Sequence, residues 1–168
     1  MSGIARLLLK SGFKVSGSDL KENQITDELK SLGAKISVGH DAQNIGGQDV
    51  LVYSSAIGED NPEILRAKTL GIPLIKRAEA LAALMRGKTA IITVAGSHGK
   101  TTTTSLVSYL LLEAGLNPTV AIGGILNNIN ANACLGEGDF FVAEADESDG
   151  SFLNYRPKYS IITNIDRE

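Results

Sequence analysis

Seven consecutive residues, Gly96-Ser97-His98-Gly99-Lys100-Thr101-Thr102, set two glycines, a lysine and two hydroxyls between an apolar run and a helix-like stretch. That combination suits phosphate. Glycines let backbone N–H groups converge on phosphate oxygens without a Cβ in the way. A helix opening at the lysine adds unpaired N–H groups and the positive end of its dipole. In such a loop Lys100 holds the β- and γ-phosphates and the Thr101 hydroxyl ligates Mg2+. A strict P-loop carries glycine six residues before the lysine; here that residue is Val94. The residues by themselves leave a second reading open, a glycine-rich turn with a solvated lysine.

A second cluster lies downstream. Glu144, Asp146, Glu147 and Asp149 follow the apolar run Phe140–Ala143. Open α/β sheets place ligands at the carboxyl ends of their strands. Mg2+ bound to a nucleotide takes one or two protein carboxylates beside phosphates and waters. Glu144, nearest the strand, is the expected ligand. The other reading of the cluster is a solvated acidic loop. His98 lies inside the glycine loop and shapes it, and His40, after Gly39, reads as a turn residue.

These residues need a frame. Strand candidates are 13–16, 35–38, 50–53, 72–75, 89–94, 119–122, 140–143 and 159–163, each a short β-branched or apolar run. Helix signals lie between them. Asn61-Pro62-Glu63 supplies a cap, a first-turn proline and an early acid, and Gly71 supplies a stop. Leu106, Val107, Leu110, Leu111 and Ala114 form one apolar stripe before Gly115. Alternation of this kind predicts an α/β protein with parallel sheets flanked by helices. A boundary is expected near Gly87, giving one domain over 1–86 and another over 87–168.

In the first half, Ser2-Gly3 at a helix start and Gly17-Ser18-Asp19 beyond a strand look like parts of a nucleotide-binding βαβ unit. Ser54 and Ser55 add hydroxyls at another strand end. The alternative is that Asp19 caps a helix and the serines only make a turn. Met1 opens directly into a helix, and the chain stops soon after an apolar strand, so a fragment is expected.

Composition narrows the classes. The formal net charge of −3 gives no reason to expect nucleic acid, whose binders usually carry a basic patch. No apolar run approaches the ~20 residues of a membrane-spanning helix. The single cysteine, Cys134, fits a reducing, cytoplasmic setting.

Taken in order, "MSGIA", "VSGSD", "SSAI" with "NPE", "AGSHGKTTTT", "GG" with "NA", "EADESDGSFL" and "TNID" resemble the Mur ligases of peptidoglycan synthesis over essentially the whole chain. That family's phosphate loop is Gly-x-x-Gly-Lys-Thr, which accounts for Val94. The resemblance implies a Rossmann-like UDP-sugar domain over 1–86, lacking its first strand. It implies the first half of a P-loop-type ATPase domain over 87–168, with a third domain absent. It implies ATP-dependent ligation of L-alanine to UDP-N-acetylmuramate through an acyl phosphate. Lys100 would stabilise the phosphoryl group, Thr101 and Glu144 would hold Mg2+, and Gly96 to Thr102 would cradle ATP. Ser2, Gly3, Asp19, Ser54 and Ser55 would line the UDP-sugar, and Asp146 with Ser148 the acceptor carboxylate. The family also places a metal-ligating histidine shortly after "TNID", beyond Glu168. Competing readings are a murein tripeptide recycling ligase, an NAD(P)-binding Rossmann oxidoreductase and a generic P-loop kinase. The oxidoreductase has no use for Lys100 or Glu144, and the kinase leaves the first half unexplained.

Overall fold

The computed structural model describes residues 1–126, 131–146 and 150–166. The chain forms two compact units, Met1–Ala80 and Leu81–Glu168. Both are α/β with parallel strands, as the alternating pattern predicts.

The first unit contains α1 (Ser2–Lys10), β1 (Ser16–Asp19), α2 (Gln24–Ser31), β2 (Lys35–Val38), β3 (Leu51–Tyr53), α3 (Pro62–Leu70) and β4 (Leu74–Lys76). Its strands form two parallel pairs, β1 with β2 and β3 with β4. Helix ends follow local chemistry. Asn23 accepts from the N–H of Ile25 and Thr26, while the Thr26 hydroxyl takes the Asn23 N–H, a complete capping box. Asn61 accepts from the Glu63 N–H ahead of Pro62, and Gly71 closes α3 at φ 68°.

One expected strand moves. The run 13–16 was expected to be extended, with Gly17-Ser18-Asp19 beyond it. Instead β1 is Ser16–Asp19, and each of its residues pairs with one of Lys35–Val38. Pairing with a neighbour decides the strand here, over the weak strand preference of Gly, Ser and Asp. Likewise β4 begins after Pro73, whose carbonyl accepts from Leu51 N–H but which has no N–H to give.

Helix α4 (Arg77–Met85) leads into the second unit. There β5 (Ala90–Ala95), α5 (Lys100–Glu113), β6 (Thr119–Leu126), β7 (Ala131–Cys134), β8 (Phe140–Glu144) and β9 (Tyr159–Ile162) build a five-stranded sheet of order β7-β6-β8-β5-β9. The pairs β5–β8, β5–β9 and β6–β8 are parallel, and β7 runs antiparallel along β6. The core lies along the central strands: Val94, Val120, Phe141, Val142 and Ala143 are fully buried. Such strands, covered on both faces, read as continuous apolar runs.

The α5 stripe is a correction. Its buried residues are Thr104 and Ser108, whereas Leu106 and Leu110 are more than half exposed. Small side chains let this helix lie close against β5, β6 and β8. The Thr104 hydroxyl, donating to the Lys100 carbonyl at 2.8 Å, is satisfied within the helix. Among the described residues, no helix is long and apolar enough to cross a membrane.

Candidate nucleotide-binding site

Strand β5 delivers the chain to the loop and α5 carries it away, with residues 96–99 as the turn between them. Both glycines have conformations that other residues rarely adopt, Gly96 at φ 131° and Gly99 at φ 81°. Gly96 also has no room for a side chain. A Cβ there would run into the Thr163 hydroxyl and lie 2.9 Å from the Asn164 carbonyl oxygen.

Helix α5 starts at Lys100 with Gly99 in the capping position. No side chain caps it, and its first turn holds no acid. The opening N–H groups of a helix have no partners within it, so this end favours an anion. Lys100 curls over the turn, its Nζ donating to the Gly96 carbonyl at 2.7 Å.

The end of β9 closes the turn from the other side. The Thr163 hydroxyl donates to the His98 carbonyl, and the Asn164 side chain bonds both the N–H and the carbonyl of His98. The Asp166 N–H reaches the Ser97 hydroxyl at 3.4 Å. The His98 imidazole projects into solvent, its Nε2 3.8 Å from an Asp166 oxygen. His98 thus gives its N–H to Asn164 and has only its ring to offer a phosphate.

A carboxylate corner adjoins the loop. Glu144 ends β8 level with Val94 of β5. Two consecutive glycines of β6 pass beside the expected ligands. A Cβ on Gly123 would lie 2.9 Å from Glu144 Oε2, and one on Gly124 would lie 2.8 Å from Thr101 Cγ2. Glu144 and Thr101 therefore share one short stretch of β6. The Glu144 Oε1 atom is buried with no hydrogen-bond partner. An orphaned carboxylate oxygen and a threonine hydroxyl along one stretch of β6 are donor types that fit Mg2+ arriving with phosphate. No group of three or more His, Cys, Asp or Glu that could hold a metal occurs among the described residues. The phosphates would have to complete the coordination.

The remaining expected residues are placed as follows. Asp146 follows β8, and its carbonyl accepts from the Phe152 N–H; Ser148 lies outside the described residues. Ser2 and Gly3 form the first turn of α1, and Asp19 ends β1 with Oδ1 accepting from Lys21 N–H at 3.4 Å. Ser54 follows β3, where its hydroxyl accepts from Ala56 N–H, a turn-making bond. The first unit also holds a polar cluster that sequence reading missed. The Ser18 hydroxyl donates to Glu63 Oε2 at 2.7 Å and lies 2.9 Å from His40 Nδ1, while Asn44 donates to Glu63 Oε1 at 2.8 Å. With its proton on Glu63, Ser18 accepts from His40, which fixes the Nδ1–H tautomer. His40 is thus part of a network, and a bare turn residue would not be. The "GSD" and "NPE" segments carried Ser18 and Glu63, but their pairing is 45 residues apart.

Residues 1–89 match the model described as "Mur ligase family, catalytic domain", and residues 94–168 match "Mur ligase middle domain". The UDP-N-acetylmuramate–L-alanine ligases of Desulfosudis oleivorans and Persephonella marina are 58% and 60% identical over all 168 residues. The chain spans 36% of the length of each. The solved UDP-N-acetylmuramate–alanine ligase of Thermotoga maritima matches with TM-score 0.91 and 37% identity, over 98% of this chain and 39% of that one. A UDP-N-acetylmuramate:L-alanyl-γ-D-glutamyl-meso-diaminopimelate ligase from Neisseria meningitides matches with TM-score 0.91 and 30% identity, over 100% of this chain and 58% of that one. A glycine-lysine loop at a strand–helix junction, a carboxylate at the next strand end and a family match across each half agree, and this chain belongs to the Mur ligase family.

Proposed function

We propose that this chain supplies the UDP-sugar-binding region, residues 1–86, and part of the ATP-binding region, residues 87–168, of a cytoplasmic ligase that joins L-alanine to UDP-N-acetylmuramate in peptidoglycan precursor synthesis. The observation that carries the alanine assignment is the contrast in identity. It is 58–60% to the two alanine ligases over the full chain and 37% to the solved alanine ligase of Thermotoga maritima, against 30% to the solved tripeptide-adding enzyme.

The geometry suits phosphoryl transfer, which asks for positive charge and positioning and needs no side-chain nucleophile. The α5 N-terminus and the N–H groups from Gly99 to Thr102 face the phosphates. Lys100 exchanges the Gly96 carbonyl for the transferring phosphoryl oxygens. Thr101 and Glu144 would hold Mg2+, which would offset phosphate charge. The substrate carboxylate attacks the γ-phosphorus of ATP and ADP leaves, giving an acyl phosphate. The neutral amine then adds to its carbonyl carbon, and the tetrahedral species expels phosphate and loses a proton to solvent. Asp146 and Ser148 are proposed near that carboxylate. Ser2, Gly3, Asp19, Ser54 and Ser55 are proposed along the UDP-sugar.

The test uses the protein carrying this chain with UDP-N-acetylmuramate, Mg2+ and ATP, offered L-alanine or the murein tripeptide. Phosphate release and new amide product are expected with alanine. Lys100→Ala should lower phosphate release by about 100-fold or more, the scale of losing a principal charge-stabilising group. Product with the tripeptide alone would transfer the assignment to the recycling ligase. Undiminished release in Lys100→Ala would remove the loop from the mechanism.

A further inference from the structure

We propose that Asn164 is a positioning residue for the nucleotide loop, acting through the peptide of His98; this rests on reading that loop as the phosphate site. The loop has an inherent weakness. Gly96 and Gly99 give it the φ values it needs, but glycine is also the residue with most backbone freedom to lose on ordering. Something outside the loop must fix Ser97 and His98 between them.

The end of β9 does so. The His98 N–H donates to Asn164 Oδ1 at 3.0 Å, and Asn164 Nδ2 donates to the His98 carbonyl at 2.9 Å. A carboxamide is planar, with one acceptor and one donor side by side, so it can pair with the N–H and C=O of one residue as a neighbouring strand would. Thr163 reinforces the grip by donating to the same carbonyl at 2.5 Å. Thr163 is itself anchored, its N–H donating to the Ala95 carbonyl at 3.0 Å. The clasp is therefore fixed to the β5–β9 pair.

The chemistry of residue 164 is specific. Aspartate keeps the acceptor for His98 N–H but puts a second acceptor against the His98 carbonyl. Alanine keeps neither bond. A protonated aspartic acid, by contrast, has one acceptor and one donor and reproduces the pattern of asparagine. The clasp also sets which donors serve the phosphates. With the His98 N–H held by Asn164, the phosphate-facing series begins at Gly99.

The experiment measures binding of Mg2+ with a non-hydrolysable ATP analogue to the protein carrying this chain. It compares Asn164→Ala, Asn164→Asp and Lys100→Ala, each referred to the unsubstituted protein at the same pH. Asn164→Ala should bind about tenfold more weakly, the scale expected for two lost hydrogen bonds. Its His98 amide should lose protection from hydrogen exchange. Asn164→Asp should bind as weakly at pH 8 and recover toward the reference as pH falls through the range where the carboxyl protonates, while Asn164→Ala shows no recovery. If Asn164→Ala does not fold, the pH series of Asn164→Asp decides alone, and absence of recovery overturns the proposal. Binding within twofold of the reference for both Asn164 variants, with Lys100→Ala losing binding, overturns the clasp and leaves the phosphate site standing. Retained binding in Lys100→Ala overturns the phosphate reading and the clasp with it.

Discussion

Gly123 and Glu144 meet so closely that a methyl group on the glycine would stand 2.9 Å from the carboxylate Oε2. The contact ties the middle of β6 to the end of β8, one residue before the point where Thr101 packs on Gly124. The obstruction is the tip of a side chain, and the backbone is clear. An alanine there should therefore move the carboxylate and leave the fold in place.

Gly123→Ala is accordingly expected to cost less than about 1 kcal/mol of stability, since the neighbour can yield. Mg2+-supported ATP binding should nonetheless weaken about tenfold, because the misplaced group is the expected ligand. Urea unfolding without nucleotide, paired with binding at varied Mg2+, separates the two effects.

Glu144→Gln tests the orphaned oxygen. A buried carboxylate oxygen without a partner costs stability in the absence of a cation. Neutralising it should leave the Mg2+-free protein as stable or up to about 1 kcal/mol more stable, while Mg2+ no longer strengthens nucleotide binding. Destabilisation by several kcal/mol in Mg2+-free buffer would argue for a structural carboxylate.

Gly96→Ala should be severe. The residue has φ 131° and faces the Thr163 hydroxyl and the Asn164 backbone. Strained backbone and overpacking together are expected to cost about 2–4 kcal/mol. Adding Thr163→Ala removes the hydroxyl and should restore part of that loss, with the φ strain remaining. Full restoration in the double variant would mean that crowding alone kept glycine at this position.

Glu63→Ala addresses the first unit. Its carboxylate, only 9% exposed, accepts from Ser18 and Asn44, and its removal strands both donors and the His40 ring beside them. The expected cost is about 2–4 kcal/mol. Hydrogen exchange should accelerate in β1, β2 and α3, and rates in β5 and β8 should stay as they were.

Local chemistry was the legible part of the sequence. Asn61, Pro62 and Gly71 bound α3 through contacts within a few residues, and the glycine-lysine turn falls between β5 and α5 where strand and helix signals put it. Elements whose conformation depends on distant partners were not readable. Ser16–Asp19 is a strand because Lys35–Val38 lies alongside. Helix α5 turns Thr104 and Ser108 inward because the sheet comes close, which leaves Leu106 and Leu110 outside while Leu112 packs on Val120 and Ile122. Strand β7, with its Ala131, Asn132 and Ala133, has little strand propensity and takes its form from β6. In the site, Lys100, Thr101 and Glu144 announced themselves by type. Gly123, Thr163 and Asn164 stand within the "GG" and "TNID" motifs but carry no role there, since their roles exist only once the strands are side by side.

The distance along the chain between the loop and its clasp has a consequence for biosynthesis. Thr163 and Asn164 follow His98 by 65 and 66 residues. At a translation rate of ~5–20 residues per second, roughly 3–13 s separate the making of the loop from the making of the residues that hold it. During that interval a ribosome-bound chain carries every glycine and the lysine of the loop without its brace. On the reading of this loop as the phosphate site, nucleotide would brace it only once Thr163 and Asn164 have been made, and the earlier steps of co-translational folding would proceed without it.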